Sequence, residues 1–303
     1  MDHKPRLLFI YQRNQFMMMP VERIVQINKY QNTVYEWPGD GPSILFCHAT
    51  GFHGRVWDEV IRKLPGYHRV SVDFRGHGKS TKTDPPYPWD SFVHDINVIM
   101  SQLDLNQVIG VGHSMGGHVI TKSATSDPGK YRGLVLCDPS LFNTEQYRKK
   151  ETSPQLSFQH PVARRRDSWK SPQEMYERLV KHPNFVRWEP QVLFDYCNYG
   201  LTKNMAGDFR LSCPPIVEAA MYEAYIDPSV LKEITEFRKP VRLLYARSPK
   251  AGDNYSDFGP SITRSDLKDL FPNIVAKRFE NYSHFLPMEN TQLVANEIEE
   301  LLT

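Results

Sequence analysis

The sequence predicts an α/β fold: a mostly parallel, doubly wound sheet with a helical cap inserted after the sixth strand. Three observations predict it. Short, continuously apolar runs alternate with helical stretches through the first half of the chain. That rhythm stops after Pro139, where helix signals dominate. It returns at Val241 for two further strands and a closing helix. The 303 residues, 40% of them hydrophobic, suffice for one large core carrying an insertion.

The elements follow in order. Val21 to Lys29 and Asn32 to Trp37 form an opening pair of strands, and Ser43 to Cys47 and Val70 to Asp73 are compact strands that end in loops. A helix from Asp90, as N-cap, to Leu103 leads to a strand at Val108 to Val111. A helix from Met115 to Thr125 then leads to a strand at Leu134 to Cys137. Continuous rather than alternating apolar runs suit parallel strands covered on both faces. Ser171-Pro172-Gln173-Glu174 is a capping box with proline at the first helical position. Further helices are expected at Pro190 to Tyr199, stopped by Gly200, and at Pro215 to Tyr225. Val241 to Ala246 and Ile274 to Phe279 restore strand character, and Thr291 to Leu302 closes the chain as a helix. Residues 1–141 and 238–303 are therefore expected to form the core, and 142–237 the cap.

Several function classes are disfavoured. A net charge of +2 argues against a strongly acidic partner. The run Arg164-Arg165-Arg166 reads as a solvated face or a set of internal salt bridges rather than a nucleic-acid contact. Cys47, Cys137, Cys197 and Cys213 match no metal spacing. The apolar runs of the N-terminus are broken by Arg13 and no small-residue cleavage site follows, so a cytoplasmic location is expected. No stretch approaches the roughly 18 apolar residues of a membrane span. Gly78-Lys79-Ser80 imitates the end of a phosphate loop, but Asp73 stands where that loop needs its first glycine.

The chemistry concentrates in four motifs. Gly112-His113-Ser114-Met115-Gly116-Gly117 joins an apolar strand to a helix, the context a G-x-S-x-G nucleophile elbow requires. Glycines two before and two after the serine permit a sharp turn that presents its oxygen at a helix N-terminus. A hydroxyl is a weak nucleophile without a base. His284, in Ser283-His284-Phe285 after the last strand, stands where that base belongs in the chain order. His48-Ala49-Thr50-Gly51-Phe52 follows the strand ending at Cys47 and is expected to supply the Thr50 amide to an oxyanion hole shared with Met115. Asp73-Phe74-Arg75-Gly76-His77-Gly78-Lys79-Ser80 is the fourth.

HATGF, DFRGHGKS, GHSMGG and SHFLPME, in this order and spacing, resemble the α/β-hydrolase superfamily over nearly the whole chain. The similarity is to its capped branch, which holds carboxylesterases, lipases, haloalkane dehalogenases and epoxide hydrolases. The resemblance implies Ser114 as nucleophile, His284 as base and the segment after strand six as a lid. Dehalogenases and epoxide hydrolases carry aspartate at the nucleophile position, so serine argues against both. The acid departs from the common pattern. Most members place it just after strand seven, where this chain reads Tyr245-Ala246-Arg247-Ser248-Pro249-Lys250. Asp138, at the end of strand six, is the expected acid, as in some dehalogenases; Asp257 is the alternative.

The expected function is cleavage of small to medium hydrophobic carboxylic esters through an acyl-enzyme, with no cofactor and no metal. His113, Phe52, Trp188 and Tyr222 are expected to contact the substrate. The same constellation would serve a lactone or a carbon–carbon bond beside a ketone. A ligand-sensing protein on the same fold is the rival of another class. The expected partner is a small-molecule ester, bound by a monomer or homodimer.

Overall fold

A computed structural model describes residues 19–151, 160–205, 207–253 and 258–302. Strands β1 (Val21–Ile27), β2 (Tyr30–Trp37), β3 (Gly41–Cys47), β4 (Tyr67–Val72), β5 (Val108–His113) and β6 (Tyr131–Cys137) lie in one sheet with two later strands, here β10 (Val241–Tyr245) and β11 (Ile274–Arg278). The order is β1-β2-β4-β3-β5-β6-β10-β11. β2 runs antiparallel to both β1 and β4, and every other neighbouring pair is parallel.

Helices cover both faces. α1 (Asp58–Arg62), α2 (Trp89–Gln102), α3 (Met115–Ser126) and the C-terminal α10 (Thr291–Leu302), which follows the short α9 (Leu286–Glu289), provide the layers, with α2 against α3 and α10 against α1. Successive strand residues therefore meet apolar cores on opposite sides. Leu45 joins Phe92, Ile96 and Val119, whereas Ile44 and Phe46 join Trp57, Ile61 and Ile298. This two-sided burial is why the sequence shows runs rather than alternation. The four cysteines are free and buried. Among the described residues no helix is long and apolar enough to cross a membrane.

Between β6 and β10 the chain forms α4 (Thr144–Glu151), α5 (Pro172–Leu179), α6 (Pro190–Tyr199), α7 (Pro215–Tyr222) and α8 (Val230–Glu233). Beside these helices the insertion also holds three short strands. β7 (Ser168–Trp169), β8 (Leu201–Lys203) and β9 (Phe209–Leu211) make a small antiparallel sheet in the order β7-β9-β8. Strands of two and three residues leave no periodic trace. Two helix ends also differ. α7 stops at Tyr222, before Tyr225. α2 begins at Trp89 with Pro88 in the N-cap position, so Asp90 lies inside the first turn, where its charge faces the positive helix end. Ser171 caps α5 as expected, its Oγ accepting from Glu174 N at 3.1 Å.

The insertion is latched to the core by polar contacts. Glu189 Oε1 accepts from Thr291 N at 2.7 Å at the start of α10, Trp89 Nε1 donates to Met221 O at 3.2 Å, and His53 Nε2 meets Tyr196 O at 3.1 Å.

Candidate active site

Ser114 sits between the end of β5 and the first residue of α3 with φ 55° and ψ −119°. A non-glycine residue held there stores on the order of 1–3 kcal/mol of strain. Bare backbone on either side makes the turn possible. A Cβ on Gly112 would fall 2.5 Å from Gly116 O, and one on Gly116 would fall 2.3 Å from Cys47 O. Ser114 N donates to Cys137 O at 3.2 Å and Ser140 N to Ser114 O at 2.9 Å, tying the elbow to the end of β6. Ser114 Oγ lies 3.2 Å from Ser140 Oγ, its hydrogen-bond partner among the described residues.

The residue after β6, Asp138, is fully buried with φ 42°. Its Oδ2 accepts from His284 Nδ1 at 2.7 Å and from Ile262 N at 3.1 Å. Its Oδ1 accepts from Ala246 N at 3.1 Å, Thr263 Oγ1 at 3.4 Å and the Ser261 hydroxyl. A carboxylate so surrounded is fixed in place. It also fixes the imidazole tautomer: with Nδ1–H donated to Asp138, His284 Nε2 is the nitrogen left to accept a proton. The backbone of His284 is held too, its N donating to Phe258 O at 3.0 Å and its O accepting from His113 Nε2 at 2.8 Å. The alternative acid, Asp257, lies outside the described residues.

Ser114 and His284 open onto one cavity of about 340 Å³ between the core loops and the insertion. Ala49, Thr50, Phe52, Trp169, Phe185, Tyr196, Tyr222 and Phe285 contribute to its wall. Of the four residues expected to contact substrate, Phe52 and Tyr222 line the cavity. His113 and Trp188 do not. His113 Nε2 donates to the His284 carbonyl, and Trp188 packs behind the wall against Phe52, Phe185 and Phe285, with ring centroids 5.5, 5.0 and 5.3 Å away.

The sequence of residues 44–297 matches the model of the alpha/beta hydrolase family. The chain belongs to the α/β-hydrolase family. Similar relatives include a non-heme chloroperoxidase of Kitasatospora aureofaciens, 34% identical over 33% of this chain and 38% of that protein. A lipase of Mycobacterium tuberculosis is 31% identical over 36% of this chain and 41% of its own length. The chain thus matches less than half the length of those relatives. Solved structures are alike over nearly the whole fold. The thioesterase domain of a curacin biosynthetic pathway has a TM-score of 0.72 at 18% identity, covering 92% of this chain and 99% of that one. An esterase of M. tuberculosis has 0.70 at 16%, covering 97% of each chain.

In this α/β-hydrolase the HATGF loop is pinned by histidines. His48 Nε2 accepts from Phe74 N at 3.2 Å while its Nδ1–H donates to Ala49 O at 2.7 Å. His77 Nε2 accepts from Gly51 N at 2.9 Å, and its Nδ1 meets Arg75 O at 3.2 Å. Asp73 closes the neighbouring turn, accepting from Gly54 N at 2.7 Å and Lys79 N at 2.8 Å. The loop carries Thr50 to the elbow, where Thr50 Oγ1 meets Met115 Sδ at 3.4 Å. Sequence reasoning missed Ser140, which carries no motif of its own. It also missed the cavity positions of Arg165 and Glu218. The arginine run was visible, and as an internal salt-bridge reading anticipates, Arg165 pairs with Glu218 at 2.9 Å and Arg166 with Glu174 at 2.6 Å. Among the described residues no group of three or more His, Cys, Asp and Glu side chains could hold a metal ion.

Burial makes these histidines a liability in acid. It pushes His48, His53 and His118 down to about 4, and His77 and His113 well below their usual value. Between pH 6.5 and 4 the unfolded chain therefore binds protons that the folded chain refuses, so stability falls as pH falls. Asp195, pushed up to about 7 by burial and then by Asp58, acts in the opposite sense, as do Asp58, Asp90 and Glu218, whose carboxyls burial also raises. Denaturant unfolding should show stability falling by several kcal/mol from pH 7 to pH 5. A flat profile over that range would mean that the five imidazoles do not stay neutral.

Proposed function

We propose that this protein is a serine hydrolase that cleaves small to medium carboxylic esters through an acyl-enzyme. The observation that carries the reading is the His284 Nδ1 to Asp138 Oδ2 contact at 2.7 Å, made by a histidine that shares the cavity with Ser114. Ser114 Oγ attacks the acyl carbon as His284 Nε2 takes its proton, and Asp138 balances the imidazolium. The tetrahedral oxyanion is held by the backbone N–H groups of Met115 and Thr50, each worth about 3 kcal/mol. His284 then protonates the departing alkoxide. In the second half His284 activates a water that attacks the acyl-enzyme, and the carboxylic acid leaves.

One observation favours a second reading, a ligand-binding protein with little turnover. Ser114 Oγ is bonded to Ser140 rather than to His284. Catalytic hydrogen bonds are often unformed before substrate arrives, and rotation of the Ser114 side chain releases it. Hydrolysis of p-nitrophenyl esters of increasing acyl length separates the readings. The expected result is steady turnover, best for short and medium chains that fit the 340 Å³ cavity and falling for long ones. Absence of turnover at every length, with fatty acids or esters still bound, would favour the binding protein.

A further inference from the structure

The cavity wall carries charge that a purely apolar acyl group would not use. Three guanidinium groups, Arg165, Arg166 and Arg178, line it against one carboxylate, Glu218. Arg166 is engaged elsewhere: it pairs with Glu174 and lies over the Trp169 ring at 3.9 Å. Arg178 is exposed. Arg165 is the inner cation. Its Nη1 stands 2.9 Å from Glu218 Oε2, but without hydrogen-bond alignment, and both Arg165 Nε and Glu218 Oε2 are buried without a hydrogen-bond partner. Leaving such a donor unmade is costly, and a ligand accepting from it would remove that cost.

The pair also stands beside the reacting centre. The insertion brings α7 against the turn Pro161–Arg164, which sets Glu218 opposite Arg165. A Cβ on Gly51, at φ +79°, would fall 2.4 Å from Glu218 Oε1, so this carboxylate rests on the turn that carries Thr50. Thr50 in turn touches Met115 in the elbow. Burial pushes the Glu218 carboxyl above its ordinary value against the pull of Arg165, which lessens the charge facing an incoming anion.

We propose that the cavity selects acyl groups bearing a carboxylate, which Arg165 binds while Ser114 meets the ester carbon. This rests on the ester-hydrolase reading above. A guanidinium offers adjacent N–H donors in a planar fork that matches a carboxylate, with the unpaired Nε–H as one prong. Cations exceed anions on the wall, so the field also favours an acid over a neutral chain.

Ester pairs of equal acyl length test it in a pH-stat: monoethyl succinate against ethyl butyrate, and monoethyl glutarate against ethyl valerate. The wild type should favour each half-ester by at least about tenfold in kcat/KM. In Arg165→Met/Glu218→Gln, which removes both charges together, that ratio should fall by about 100-fold. Free glutarate should slow labelling of Ser114 by a fluorophosphonate in the wild type and lose that effect in the double variant, with labelling reporting that each protein is folded. A wild-type preference for the neutral esters overturns the proposal, as does an unchanged ratio in the double variant. If the double variant takes no label, wild-type protection by glutarate decides: its absence overturns the proposal. Hydrolysis of neutral esters alone leaves the ester-hydrolase reading standing. A folded wild type that neither hydrolyses any ester nor takes the label ends both.

Discussion

Ser114→Ala should lower kcat toward p-nitrophenyl esters by about a million-fold, the scale on which removal of a triad nucleophile acts. The loss should be chemical and not structural. Ser114 Oγ makes one hydrogen bond among the described residues, to Ser140, so its removal leaves no buried charge unpaired. Alanine keeps the Cβ that serine already places at φ 55°, so the strain of the turn is unchanged. Thermal unfolding of the variant should therefore stay within a few degrees of the wild type, a shift matching about 1 kcal/mol. Steady-state kinetics and a melting curve on one preparation check both halves. Activity within tenfold of the wild type would remove Ser114 from the reaction.

Asp138→Asn should cost about ten-thousand-fold in kcat, the effect of holding a catalytic imidazole in the wrong tautomer. An amide at this site turns one acceptor oxygen into a donor. His284 Nδ1 would then have to accept, which places the ring proton on Nε2, facing the serine it should deprotonate. Ile262 N, Ala246 N, Ser261 Oγ and Thr263 Oγ1 also converge on the carboxylate, so the amide must face at least one donor with another donor. A fall in melting temperature should accompany the loss of activity, in contrast to Ser114→Ala. Asp257→Asn should leave kcat within a few-fold. The reverse ranking would move the acid's role to Asp257.

Much of this fold is legible in the sequence because its constraints act on single residues. Parallel strands covered on both faces must be apolar at successive positions, as Ile44, Leu45 and Phe46 are. The elbow demands glycines where backbones close to within contact of each other, which marks Gly112 and Gly116. Asp138 was legible by its place at a strand end, though not the convergence of donors on it, which comes from loops distant in sequence. The rest depends on tertiary contact. His113 adjoins Ser114 in sequence, yet its side chain packs among the rings of Phe52, His284 and Phe285 and supports the His284 carbonyl instead of lining the cavity. Trp188 belongs to the aromatic cluster behind the wall, and no local pattern separates that role from substrate contact. Arg165 sits in a basic run that reads as a solvated face or as internal salt bridges, and only the packing of α7 against the preceding turn brings Glu218 to it.

In the proposed mechanism Ser114 is the activated nucleophile of this cavity. A fluorophosphonate probe followed by peptide mapping tests it most directly, since such a reagent needs both the hydroxyl and the base beside it. One label per chain on the peptide bearing Ser114 is expected, with labelling at least a thousand-fold slower in His284→Ala, the order by which triad members act on the nucleophile. Labelling at another residue, no labelling of folded wild type, or equal labelling of His284→Ala would contradict the account.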